Sequence, residues 1–322
     1  MKALVGLLAV LTLNAVAPAG ATAAKDAAQK VYVLSQDDGT LSIIDTAVDE
    51  IIGQIEIPGK PAAFTISPAL DEAFATLPDS GQIAVIDLRR QKLDRLLKIG
   101  GQPFGIAITA PGQLFVGDWS ANVVSAVDPQ SGEIVRKIPV GRSPAHLVAT
   151  REGSRLYVAD READSIAIID TRRFGVLQEI PVGRAPFALA LSLDEKQLVV
   201  ANAQAATLSI VDTSSLQVVS TLATRAMPYG VAMTGNDAKI LISNQQGGSI
   251  SVFDAQTRAP RAEIKVGRYP EGLVALKSGS KAYVANWFSA SVSVLDLKTN
   301  TEIKRIKCPE GPRMVLAVST EP

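Results

Sequence analysis

Apolar and polar residues alternate along most of this chain in short runs rich in Val, Ile, Leu and Tyr. The period of two and the β-branched content predict strands, and no i, i+3, i+4 stripe of a helix appears. Clusters of Gly, Asn, Asp and Ser between the runs supply the turns. One stretch shows the unit plainly, with strand-like runs at 272–276, 282–285, 291–295 and 302–306.

That unit recurs seven times. A run ending in Asp closes the third strand of each copy, at Asp45, Asp87, Asp128, Asp170, Asp212, Asp254 and Asp296. A Pro follows each Asp by 16 residues, at Pro61, Pro103, Pro144, Pro186, Pro228, Pro270 and Pro312. Successive Asp residues are 42 apart except for one step of 41, from Asp87 to Asp128, which places a one-residue deletion around Pro111 and Gly112. Four strands in a period of ~40–45 residues predict the blades of a β-propeller. The ends of the array predict how it closes. The run at 31–34 aligns with the second strand of a unit, and the run at 314–319 aligns with the first. The fold class is therefore all-β: a seven-bladed propeller whose C-terminal strand joins the three N-terminal strands, because a closed ring leaves fewer sheet edges to template aggregation.

Ahead of the array, Lys2 precedes an apolar run at 3–13, which is shorter than the ~20 residues of a membrane span. Ala21-Thr22-Ala23 then fits an A-x-A cleavage site. The expected organisation is a signal peptide over 1–23 and a single propeller domain over 24–322, in a protein that is periplasmic or secreted, monomeric and not inserted in a membrane.

Several copies carry a recognisable second strand: Tyr32-Val33, Tyr157-Val158-Ala159-Asp160, Val199-Val200-Ala201-Asn202 and Tyr283-Val284-Ala285-Asn286. These resemble the Tyr-Val-Thr-Asn unit of the YVTN-type propeller repeats of surface-layer proteins and of secreted or periplasmic bacterial propellers. The resemblance implies a seven-bladed binding or scaffold module. Similar folds also occur in lactonases, in quinone- or haem-linked periplasmic proteins and in some nucleic-acid binders, so fold does not choose among these functions.

Composition narrows the chemistry. Lys and Arg total 32 and Asp and Glu total 32, so the basic excess of a nucleic-acid binder is missing. One Cys, Cys308, excludes an internal disulfide, and one His, His146, excludes His-pair metal motifs. The seven Asp residues read as scaffold, since catalysis needs an acid once and a turn needs one in every blade.

Function is expected where the repeats differ. The residue after each Pro is Ala62, Phe104, Ala145, Phe187, Tyr229, Glu271 and Arg313 in turn, on the face shared with the loops between second and third strands, which add Trp119, Trp287 and Phe288. Arg142 and Arg184 lie in the loops that cross between blades on this face, which also carries acids such as Asp37, Asp118 and Asp160. His146 and Met314 stand two residues after their Pro, where the other five copies have Gly or Ala. They are the candidate ligands should a metal or haem bind. Otherwise no cofactor, metal site or catalytic residue is expected. The first reading is a non-enzymatic propeller that recognises a protein partner through Phe104, Trp119, Arg142, His146, Arg184, Phe187, Tyr229, Trp287, Phe288 and Arg313. The alternatives are an anionic ligand or single-stranded nucleic acid on the same face, and a lactonase-like hydrolase using acids and a metal there.

Overall fold

The computed structural model describes residues 29–319 apart from Pro68, Pro111 and Asn236, so the expected signal peptide lies outside the described residues. Seven four-stranded antiparallel sheets form the ring, with innermost strands beginning at or near the repeated Pro. Blade IV is representative: Pro144–Ala149, Arg155–Asp160, Ser165–Asp170 and Gly175–Pro181, from the axis outward. The inner strand of blade VII runs Pro270–Ala275, two residues earlier than the apolar pattern suggests. Pro is tolerated as the first residue of a strand.

Ring closure takes the expected form. The C-terminal strand Pro312–Ser319 pairs antiparallel with Gln29–Ser35, with Val315 opposite Val33 and Ala317 opposite Val31. The Gln36 N–H donates to the Gly311 carbonyl at 2.8 Å, and the Glu310 N–H donates to Asp38 Oδ2 at 2.7 Å. At the rim, Asp49 of this closing blade I accepts hydrogen bonds from the Tyr283 hydroxyl and from Lys281 Nζ (2.7 Å), both on blade VII.

The core is a set of seven slabs, one between each pair of neighbouring blades. Phe74, Ile83 and Val85 of blade II meet Ile106, Leu114 and Val116 of blade III, for example. Tyr283, Val292 and Val294 of blade VII meet Val31, Val33 and Ile44 of blade I. Middle strands are buried on both faces and read as nearly continuous apolar runs. Outer strands alternate between exposed and half-buried positions.

The repeated Asp residues are turn scaffold. In all seven, Oδ1 accepts a backbone N–H two or three residues on. The Ser214 hydroxyl and the Ser215 N–H hold Asp212 down to about 2. The deletion also lies where the spacing put it: the Thr109 N–H bonds to Gln113, whereas Thr150 reaches Arg155 and Thr234 reaches Lys239, one residue further.

The last residue of the second strand differs between blades. The second strands of three blades end in Asn202, Asn244 and Asn286, whose Nδ2 atoms each donate to two hydroxyls of the third strand. Blade IV has Asp160 in that place, with Ala167 where Ser209 stands in blade V. Asp160 is fully buried; its Oδ2 accepts the Gly141 N–H at 3.0 Å and its Oδ1 has no partner. Burial pushes its pKa up to about 7 against the pull of the Gly141 bond. A carboxyl raised from its unfolded value near 4 makes the fold most favourable below that value, and the contribution is lost as pH rises through 7. Asp160→Asn is therefore expected to raise stability by about 2–4 kcal/mol at pH 8 and by much less at pH 4. Thermal melts at the two pH values check this, and an equal gain at both would contradict it.

Closure yields a second prediction. Truncation after Gly311 removes the inner strand of blade I and leaves apolar faces and strand edges open. The shortened chain is expected to aggregate or to melt far below the intact one. Monomeric elution with an unchanged Tm would refute the closure argument.

Candidate functional site

Each crossing loop ends at a Pro that starts an inner strand, or in blade II precedes it by three residues, so the next side chain stands at the mouth of the central channel. In ring order from blade II these are Ala62, Phe104, Ala145, Phe187, Tyr229, Glu271 and Arg313. Ala62 and Ala145 are small and buried, so the large residues on either side of each can meet over them. Phe104 and Phe187 pack edge to face at 6.3 Å between centroids, and Phe187 and Tyr229 lie tilted by 32° with centroids 4.0 Å apart. The Tyr229 hydroxyl accepts a hydrogen bond from Arg313 Nη2 at 2.9 Å. The Arg313 guanidinium returns to lie 5.5 Å from the Phe104 centroid. These four side chains form a closed circuit across the channel. Aromatic pairs of this kind contribute about 0.5–1.5 kcal/mol each beyond their burial.

Arg313 is the electrostatic centre. Its side chain is only 10% exposed. Nη1 donates to Gln36 Oε1 at 3.0 Å, and the guanidinium also lies 5.5 Å from the Trp287 centroid. Its counter-ion, Glu271, is 4% exposed, with Oε2 at 3.7 Å from Arg313 Nε. Glu271 Oε1 accepts from Gln245 Nε2 at 2.7 Å, but Oε2 has no hydrogen bond. Burial pushes the Glu271 pKa up to about 7 despite the neighbouring guanidinium.

The other candidate residues divide. Trp119 stacks on Phe104 at 4.7 Å, with Arg161 5.9 Å from its ring centroid, so Trp119 and Trp287 flank the circuit as half-buried shoulders. Phe288 is not in the cluster: it is 56% exposed and packs on Tyr269 at 4.7 Å. Arg142 and Arg184 are not in it either. Their Nη2 atoms donate to the Glu162 and Gln204 carbonyls twenty residues on, as Arg268 does to Phe288, a repeated pin between two loops of one blade. The sequence placed Glu271 in the column after Pro and gave no sign of Gln36 or Gln245. The signal for Glu271 was its column, where it is the single acid among the seven residues that follow Pro.

Beneath the circuit lies a cavity of about 540 Å³ running down the inner strands to Ala110, Thr150 and Arg151. His146 and Met314 both line it. Each reaches the same main-chain group of the next blade: His146 Nδ1 accepts the Leu189 N–H at 3.1 Å, and Met314 Sδ accepts the Phe64 N–H at 3.4 Å. At the equivalent Gly272 a Cβ would come within 2.5 Å of the Arg313 carbonyl, so there the blades meet too closely for a side chain. Burial lowers the His146 pKa to about 4, so the imidazole is neutral at pH 7, with its proton on Nε2. The acceptors that a metal would take from this pair are thus engaged by backbone, and Nε2 would need to lose its proton or change tautomer to serve. Cys308 is buried in the slab between blades VII and I, where burial raises its pKa to about 12.

No family model matches the chain, and no curated protein matches it in sequence. Solved structures do share its architecture. Hydrazine synthase of Kuenenia stuttgartiensis is similar over 81% of this chain and 96% of that one, at 19% identity and a TM-score of 0.72. A protein of unknown function from Desulfotomaculum acetoxidans is similar over 89% and 98%, at 13% identity and a TM-score of 0.75. Dihydro-heme d1 dehydrogenase NirN, in complex with DHE, is similar over 86% and 63%, at 16% identity and a TM-score of 0.67. The likeness is one of fold, a seven-bladed propeller.

The pairing of Arg313 with Glu271 makes a testable demand. Arg313→Met leaves a buried carboxylate unpaired, which typically costs about 3–5 kcal/mol. The loss is expected in full at pH 8 and to shrink at pH 5, where Glu271 takes up a proton. Adding Glu271→Gln is expected to restore most of the stability at pH 8. Chemical denaturation of the two variants at both pH values checks this, and a loss independent of pH would disprove the pairing.

Proposed function

We propose that this protein is a non-enzymatic binding propeller whose working surface is the aromatic end of the ring, centred on Arg313 and flanked by Trp119 and Trp287. The observation that carries the reading is the closed circuit of Phe104, Phe187, Tyr229 and Arg313. It holds two half-buried Trp side chains on rigid support, with Phe288 exposed beside them. Preorganised aromatic anchors with an Arg at the centre are the composition of interface hot spots. A protein partner is favoured over nucleic acid, because Arg142, Arg184 and Arg268 are tied to carbonyls and the chain carries no basic excess. A hydrolase would need acids converging on one metal-sized point. Among the described residues no group of three His, Cys, Asp or Glu side chains is placed to hold a metal ion. Among those residues, too, no helix is long and apolar enough to cross a membrane. A periplasmic or secreted location follows from the expected signal peptide.

Trp119→Ala and Trp287→Ala are expected to weaken partner capture tenfold or more, about 1.4 kcal/mol, with little change in Tm. Arg172→Ala and Lys298→Ala, on the opposite face, are expected to leave capture unchanged. Affinity capture from cell extract, quantified by mass spectrometry across the four variants, decides the matter. Equal capture by all four would sink the assignment.

A further inference from the structure

The channel beneath the circuit has the properties of a second site, which shares Arg313 with the aromatic surface. Its volume of about 540 Å³ lies in the range of small-molecule pockets. Its wall is made chiefly of Ala, Val, Leu and Ile with Met233 and Met314. Among the described residues no Asp, Glu or Lys lines it, and its charged lining residues are Arg313 at the closed end and Arg151 at the other. Arg151 and Ala110 are exposed, so the cavity meets solvent at that end.

The closed end has unused hydrogen-bonding capacity. Arg313 carries five N–H donors and commits two, to Gln36 and Tyr229. Glu271 Oε2, the opposing oxygen, sits 3.7 Å from Nε, outside hydrogen-bond distance, and accepts no hydrogen bond. A buried guanidinium is poorly compensated by such a counter-ion, and a carboxylate meeting it with two parallel hydrogen bonds is a stronger one. Midway along the wall, neutral His146 directs Nδ1 to the Leu189 N–H, which leaves Nε2–H as a donor without acidic competition in the cavity. Inner strands of six residues span about 20 Å, the reach of an extended chain of about fourteen to sixteen carbons.

We infer that the channel binds a long-chain aliphatic monocarboxylate, which enters beside Arg151 and seats its head on Arg313 with its tail along the inner strands. The ligand carboxylate displaces Glu271 as the partner of Arg313, so Glu271 limits affinity.

The test uses the full chain and cis-parinarate, a long-chain carboxylate whose fluorescence rises in a dry site. Saturable one-to-one binding is expected. Myristate is expected to displace the probe, and tetradecyltrimethylammonium, of equal tail length and opposite charge, to fail. Glu271→Gln is expected to tighten myristate binding at least threefold, a gain that misfolding cannot produce. Arg313→Met is expected to weaken it at least tenfold. Absence of saturable binding, equal displacement by the cation, or Glu271→Gln binding no tighter than the parent would overturn the inference. Both sites use Arg313, but the probe and Glu271→Gln read the channel while Trp119→Ala and Trp287→Ala read the aromatic surface, so either can fail alone.

Discussion

Each of the seven sheets is apolar on both faces and has no core of its own, so it is buried only by the blades on either side. Every slab is shared by two blades, such as Phe115, Val124 and Ile138 with Leu147, Val158 and Ile169 between blades III and IV. A linear array would leave two apolar faces open. Burial at about 25 cal/mol per Å² makes that exposure costly, and closing the ring removes it. The array therefore depends on the pairing of Gln29–Ser35 with Pro312–Ser319, the longest-range strand contact in the chain.

Closure imposes a second constraint, at the axis. Seven inner strands converge there, and the space between neighbours sets which residues can follow the Pro. Where blades press together a Gly is needed, as at Gly105, where a Cβ would lie 2.6 Å from the Ala145 carbonyl. Where they stand apart a longer side chain fills the gap and satisfies an edge N–H, as His146 and Met314 do. The two exceptions in an otherwise small column thus have one structural account, since each side chain accepts the corresponding N–H of the next blade. The same placement puts an imidazole and a thioether on the channel wall.

Most of the architecture was legible in the sequence because it is repeated. Blade number, strand order, the deletion near Gly112 and the mode of closure all follow from the fixed spacing of Asp and Pro, and repetition made the turn role of Asp45 to Asp296 plain. The site was legible by column only. The residues after Pro mark the channel mouth, but their partnership is set by distances across the ring that no local pattern encodes. Arg313 to Tyr229 spans 84 positions, and Arg313 to Gln36 spans 277. Arg142 and Arg184 shared a face with the aromatics and read as part of one basic surface. Their shared offset of twenty residues to a carbonyl shows them to be pins. Phe288 sat beside Trp287 in sequence, yet the short 3-10 turn Trp287–Ser289 sends the two rings apart, one to Arg313 and one to Tyr269.

Arg313 joins these levels. It follows Pro312 at the start of the strand that closes the ring, and Met314 comes next on the same strand. The guanidinium therefore reaches Tyr229, Phe104 and Trp287 only once the last strand has docked on the first blade. The aromatic circuit and the closed end of the channel cannot precede closure, since both are built around a side chain that closure delivers. In return the circuit holds the strand in place: Tyr229 of blade VI and Phe104 of blade III both grip one residue of blade I. Those contacts bridge non-adjacent blades, whereas the slabs join chiefly neighbours. A ring stabilised only by neighbour contacts opens one interface at a time, whereas one tied across its axis resists opening at the seam. The residues that form the candidate binding surface are thus also those that bind the closing strand to the far side of the ring.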